Sequence, residues 1–209
     1  MVSPTQIDRL IAGFKSFKAT YYEQRPERFQ SLVERGQNPR TLVIACSDSR
    51  ADPAILTNSE PGELFVIRNV ASLVPPYQPE GRMLGTSSAI EFAVRDLAVR
   101  HIVVLGHSNC GGIEALQRIA KGEEPEREFL ANWVSIACEA SNCKDKGVGD
   151  ANEIGRQAVV VSLTNLKTFP WIAEPHAKKE LSLHGWWFDM GKGALWAYNE
   201  FKGAFEVLA

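Results

Sequence analysis

No stretch of this sequence stays apolar for long. The longest uninterrupted runs are short segments such as residues 42–46 and 102–105. A membrane-spanning helix needs about 20 apolar residues in succession, so a transmembrane protein is not expected. Charge of one sign is lacking too: 23 Lys and Arg face 25 Asp and Glu, for a formal net charge of -2. A near-neutral chain has no basic footprint for DNA or RNA and no polybasic lipid anchor. Neither nucleic acid nor membrane is therefore expected as a partner. Cysteine is scarce, with four in all: Cys46, Cys110, Cys138 and Cys143. The first residues mix charge among their apolar positions, and no basic segment leads into an apolar one. No secretory signal is read there. The expected compartment is the cytoplasm, which is reducing, so disulfides are not expected. Metal ligation, nucleophilic catalysis or plain burial remain as uses for the thiols.

What is present suffices for one real core. The 209 residues are 44% hydrophobic and 23% charged, close to globular averages. They suit a single domain, residues 1–209. No repeat, low-complexity tract or linker is evident. Ile7, Leu10, Ile11 and Phe14, then Phe29, Leu32 and Val33, recur at helical spacing, so residues 1–35 read as helix. Gly36-Gln37-Asn38-Pro39 breaks that pattern. Residues 41–45, a continuous apolar run, read as a strand covered on both faces. Residues 64–67 and 101–105 read as further strands, and the prolines of 73–81 make that segment a loop. Helices are expected over 87–99, from Gly111 to a stop at Gly122, and over 127–141 and 151–169. A strand over 180–188 pairs with one over 194–198 through a turn at 190–193. Strands alternating with helices predict an α/β fold. Its central sheet is mainly parallel, with an antiparallel edge strand, flanking helices and an N-terminal helical arm.

Two segments carry chemistry. Cys46-Ser47-Asp48-Ser49-Arg50 follows the first buried strand, and His107-Ser108-Asn109-Cys110-Gly111-Gly112 follows the third. In open α/β sheets, ligands bind beyond the carboxyl ends of strands where the strand order reverses. If the two strands are neighbours, two thiols, an imidazole and a carboxylate converge. Residues two apart in an extended segment face the same side, so Cys46 and Asp48 both point inward. Three apart at a strand-to-helix turn, His107 and Cys110 reach one ion. Two thiolates and an imidazole favour zinc and leave a fourth tetrahedral position open, as in a catalytic site. A lone cysteine after a strand is ordinarily just a small buried residue. The pairing of both segments at strand ends favours the metal. A redox pair of Cys46 and Cys110 would leave His107, Asp48 and Arg50 without roles. Cys138 and Cys143 read as plain burial. His101, His176 and His184 read as structural, since none has a Cys or His at ligand spacing.

At these residues the sequence resembles the β-class carbonic anhydrases. The matching motifs are CSDSR at 46–50, HSNCGG at 107–112, PGELFVIRNVA at 61–71, SAIEFAV at 88–94 and LHGWWFD at 183–189. The resemblance implies zinc held by Cys46, His107 and Cys110, with an Asp48–Arg50 dyad beside it. Asp48 becomes a fourth ligand in a closed state known in the family. It also implies a homodimer, or a dimer-based tetramer or octamer, whose interface builds the active site. The arm, residues 1–36, then packs on a neighbouring subunit. Gln37, nine residues before Cys46, matches the plant-like subgroup. Val43 and Phe188 stand where a second subgroup has the Trp and Tyr of an inhibitory bicarbonate pocket. Phe92 departs from a Tyr frequent in plant enzymes. Phe65, Val70 and Phe92 are implied to line a narrow apolar pocket.

The expected reaction is reversible hydration of carbon dioxide to bicarbonate and a proton, by zinc-bound hydroxide with the Asp/Arg dyad. Gln37 and the Gly111 backbone N–H are candidate donors to a substrate oxygen. Hydrolysis of carbonyl sulfide or carbon disulfide on the same fold is the nearest alternative. A non-enzymatic zinc or thiol sensor is a distant one.

Overall fold

The computed structural model describes residues 5–81, 84–123, 127–141 and 150–209. Contacts divide the chain into two compact units, 1–38 and 39–209. In the first, helix α1 (Gln6–Lys18) starts at a capping box: Asp8 N–H donates to Thr5 Oγ1, and Thr5 N–H donates to Asp8 Oδ2. These bonds satisfy amides that a helix start leaves without partners. A wider, π-type turn over Ala19–Gln24 leads to α2 (Pro26–Arg35). Pro26, at a position whose N–H is not needed, resets the helix, so the expected continuous helix is two. Phe17, Tyr21, Tyr22 and Phe29 pack as an aromatic cluster. No residue of α1 is buried, and Ile7, Leu10, Ile11 and Phe14 are 50–70% exposed.

In the second unit the expected α/β class holds. Among the described residues, six strands run β1 (Thr41–Cys46), β2 (Leu64–Asn69), β3 (His101–His107), β4 (Ser182–Asp189), β5 (Ala194–Asn199) and β6 (Ala204–Val207). Their spatial order is β2-β1-β3-β4-β5-β6. The first four pair in parallel, and β5 and β6 add antiparallel pairs. The chain steps from β1 outward to β2, then returns to place β3 on the other side of β1. The order therefore reverses between β1 and β3, where crossovers leave an open crevice at the carboxyl ends.

The helices are α3 (Pro53–Leu56), α4 (Gly85–Glu91), α5 (Gly111–Ala120), α6 (Glu128–Ser141), α7 (Ala151–Leu166) and α8 (Pro170–Ala177). Leu42, Ile44, Ile102 and Val104 bury one sheet face against Ile90, Val159, Leu163, Leu166, Phe169 and Ile172. Val43, Ala45, Val103 and Leu105 form a separate buried cluster. Burial on both faces explains why β1 and β3 read as unbroken apolar runs.

The structure differs from the sequence expectation at several ends. The helix expected over 87–99 ends earlier, in a π-type turn over Phe92–Asp96. There Leu97 N–H bonds the Phe92 carbonyl, and Ala98 turns left-handed at φ 51°. Helix α8 carries Pro175 inside it, which masked its pattern. Strand β6 is only four residues long, too short for a period to show.

Trp187 on β4 seats its ring in a notch made by two glycines. A Cβ on Gly155 of α7 would lie 2.4 Å from Trp187 Cη2, and one on Gly106 of β3 would lie 2.9 Å from Cε3. Trp187 is 3% exposed and has no room to yield. Gly155→Ala should therefore lower stability by about 1–3 kcal/mol through overpacking, despite the better helix propensity of alanine. Gly13→Ala, whose Cβ meets nothing within 4 Å, should not. Urea unfolding of both variants checks the contrast.

Candidate metal centre

Cys46 ends β1 and His107 ends β3, so the strand-order reversal places both at one crevice. Cys110 follows at the turn into α5, as the residue just before that helix. Their ligating atoms all lie within 4.8 Å of one another, with the two sulfurs 3.8 Å apart. All three residues are buried. Ser108 supplies the carbonyl that takes the His107 Nδ1–H at 2.9 Å. A carbonyl only accepts, so the lone pair of His107 sits on Nε2. That nitrogen is buried and has no hydrogen-bond partner.

The electrostatics follow from this crowding. The Cys110 thiol hydrogen-bonds Cys46 and, with His107 and the Asp48 and Ala71 amides, pulls Cys46 down against the effect of burial. The resulting Cys46 thiolate, then burial, push Cys110 up, while the Gly112 and Ile113 amides oppose the rise. Burial pushes His107 down, but the neighbouring Cys46 thiolate, the Ser108 carbonyl and the charge on Asp48 outweigh it.

Asp48 stands beside the group, with Oδ2 3.9 Å from His107 Nε2. Both its oxygens are taken by Arg50: Nε donates to Oδ1 at 3.0 Å and Nη2 to Oδ2 at 2.8 Å. This fork, with the Arg50 backbone N–H, holds Asp48 well below the usual carboxylate range. Arg50 Nη2 also donates to the Asn109 carbonyl at 3.1 Å, and so ties the first segment to the second.

Gly111 opens α5, and a Cβ there would meet nothing within 4 Å. A Cβ on Gly112 would lie 2.5 Å from Val70 Cγ1, so Val70 borders this end of the sheet. Phe65 and Phe92 pair with each other, ring centroids 5.9 Å apart. Phe65 registers with Leu42, four positions before Cys46, or about 13 Å away along the strand. Gln37 is exposed in the first unit, next to Gly36 at φ 77°. Cys138 is half-buried and packs against the cluster that holds Cys46 and Cys110. Cys143 lies outside the described residues. His176 Nδ1 bonds the Leu181 carbonyl at 3.0 Å.

Sequence reasoning missed three supports. Arg68 on β2 donates to the carbonyls of Cys46 (3.0 Å) and Asp48 (2.6 Å) and to Asp52 Oδ2 (2.8 Å). One guanidinium thus clamps the whole loop after β1. Ala71 and Ser72 are left-handed at φ 66° and 53°, a conformation uncommon outside glycine. Asn69 holds that turn through two bonds to the Leu73 backbone, and Trp133 Nε1 does so through the Val70 carbonyl. The turn brings the Ala71 amide to Cys46. Only the RN pair at 68–69 hinted at this arrangement, and nothing local indicated its partners.

Two thiols and an imidazole at the switch point of a parallel sheet, with a carboxylate held just outside, define a metal-dependent α/β enzyme. A family model described as carbonic anhydrase matches residues 41–195. The chain is 38% identical over 199 residues to β carbonic anhydrase 3 of Arabidopsis thaliana, covering 91% of this chain and 76% of that protein. It resembles the solved structure of the β-carbonic anhydrase CcaA with a TM-score of 0.86 and 31% identity, covering 99% and 93% of the two chains. It also resembles one of two tetrameric β-carbonic anhydrases of Sordaria macrospora, with a TM-score of 0.74, 29% identity and 95% of each chain covered. The chain belongs to the β-class carbonic anhydrases, zinc lyases that hydrate carbon dioxide. The residues fit that cofactor, because the buried lone pair of His107 Nε2 and two crowded thiols are a donor set for zinc.

Among the described residues, no helix is long and apolar enough to cross a membrane. Zinc binds the folded crevice and not a scattered chain, so its removal should destabilise the fold. Stripping with a chelator should lower the thermal midpoint by about 2–4 °C for each kcal/mol of binding lost, and added zinc should restore it. An unchanged midpoint would argue against these donors.

Proposed function

We propose that Cys46, His107 and Cys110 hold the zinc, and that Asp48 and Arg50 act as a dyad in reversible CO2 hydration. The observation that carries this reading is the buried, partnerless His107 Nε2 facing two thiols, with a forked carboxylate 3.9 Å away. When bound, zinc supplies Lewis acidity that makes a water a usable nucleophile near neutral pH, an effect for which carbonic anhydrase is itself the standard example.

The chain's own residues do the rest. Arg50 occupies both Asp48 oxygens in a bidentate pair, which keeps the carboxylate from swinging inward as a fourth ligand. Asp48 accepts a hydrogen bond from the reacting water and orients its lone pair toward the substrate carbon. Because its affinity for protons is so low, Asp48 orients the proton without taking it up, and the proton leaves directly to solvent. CO2 carries no charge, so its binding rests on apolar contact, and Val70 borders the crevice to supply it. The Gly111 N–H, at the start of α5 with open space beside it, donates to a substrate oxygen.

Gln37, Val43 and Phe188 support a plant-like subgroup assignment. The enzyme works as a homo-oligomer, as the tetrameric relative does. The exposed apolar face of α1 (Ile7, Leu10, Ile11, Phe14) packs on a neighbouring copy. Gln37, Phe65 and Phe92 serve sites that such packing completes.

Arg50→Ala should leave zinc content near normal and cut turnover by roughly a hundredfold or more. Full activity in that variant would remove the dyad. Stopped-flow hydration of CO2 should far exceed hydrolysis of carbonyl sulfide or carbon disulfide on the same zinc-loaded sample. The reverse ranking would make the chain a sulfide hydrolase on this fold, and no turnover of any of the three would favour a sensor.

A further inference from the structure

His101 and His184 lie 83 residues apart in sequence, yet their rings meet. His101 is the first residue of β3, and His184 lies on the neighbouring β4. In the register His101 stands opposite Ser182, and Val103 opposite His184. Alternate residues share a face, so the two histidines are diagonal neighbours on one face, within reach of each other. Their ring centroids are 5.4 Å apart, and His101 Nδ1 faces His184 Nε2 at 3.3 Å. The pair sits at the opposite end of β3 from His107. Six residue steps separate the two ends, or about 20 Å, so it is no part of the centre described above.

We propose that His101 and His184 form a second site for a divalent transition cation with tetrahedral preference, zinc being the best match. The bite of the pair supports this. Zinc–imidazole bonds of about 2.0–2.1 Å at a tetrahedral angle put two nitrogens about 3.3 Å apart, the separation seen. Square-planar or octahedral geometry at such bond lengths would want them closer, about 2.9 Å. Both residues sit on paired strands of one sheet, so on binding the rings need only turn until both lone pairs converge on one ion. His101 is exposed, which leaves an approach for the ion and room for water in the remaining positions.

The proton balance is simple. Two neutral imidazoles carry one N–H each, and the one between the facing nitrogens moves to the outer nitrogen of its own ring, so no proton is lost. Burial, then the nearby charge of His101, hold His184 below the usual imidazole range, which favours a neutral, ligating His184.

The test uses full-length, tag-free, zinc-loaded enzyme dialysed against micromolar zinc, with metal per chain then counted. Two zinc ions per chain are expected for the wild type. One is expected for His101→Ala and for His184→Asn, with CO2 hydration unchanged in both. His101 is exposed, so its variant tests the site even if the His184 variant folds poorly. Cobalt added to the zinc-loaded enzyme gives a second readout: the visible absorption of tetrahedral cobalt should appear in the wild type and vanish in the variants. A wild type that keeps only one ion would overturn the proposal and leave a simple hydrogen bond between the rings. Two ions retained in His101→Ala would also overturn it.

Discussion

Two sulfurs 3.8 Å apart and a buried imidazole nitrogen with no partner make an unstable company when left to themselves. If both thiols lose their protons, like charges face each other in a poorly solvated crevice. If neither does, or only Cys46 does, the His107 lone pair stays buried and unmet. A divalent cation among them resolves both problems at once. The surroundings are organised to hold these donors in place. Arg68 clamps the loop after β1, the Ser108 carbonyl fixes the His107 tautomer, and the strained turn at Ala71 and Ser72 aims an amide at Cys46.

The same constraint explains how charge is distributed around the crevice. Asp48 is the nearest carboxylate to His107 Nε2, yet Arg50 occupies both its oxygens. The crowded donors and the nearby carboxylate are therefore held by different contacts. Arg50 also reaches the Asn109 carbonyl, and Asn152 on α7 accepts from the Asn109 N–H. The carboxylate, the turn after β3 and a helix on the sheet's flank thus form one connected unit. A shift in any of them would move Asp48 relative to Cys46, His107 and Cys110.

Much of the fold was legible in the sequence because its signals are local. The apolar runs of β1 and β3 report burial on both faces. Gly122 at φ 81° ends α5 where the glycine was expected to stop it. The strand pair around 190–193 follows from a glycine-rich turn between alternating segments. The elements that escaped were those whose stability comes from distant partners. Helix α8 carries an internal proline and is held by burial of Ile172 against the main core. Strand β6 exists only as the outer partner of β5. The π-type turn after α4 reflects packing of Ala93 in the core and not any residue preference.

The candidate centre divides along the same line. Residue type and position were readable without coordinates: two thiols, one imidazole and one Asp–Arg pair, each just past the end of an apolar strand. Chemistry depends on side-chain identity, and the end of a strand is marked locally. The tertiary structure alone decided that β1 and β3 are neighbours, that Arg68 braces the loop, and that Phe65 and Phe92 sit well along the sheet from Cys46. It alone brought His101 against His184. Strand order and register are set by how whole faces pack together. That information is spread across the chain, and no local spacing of residues carries it.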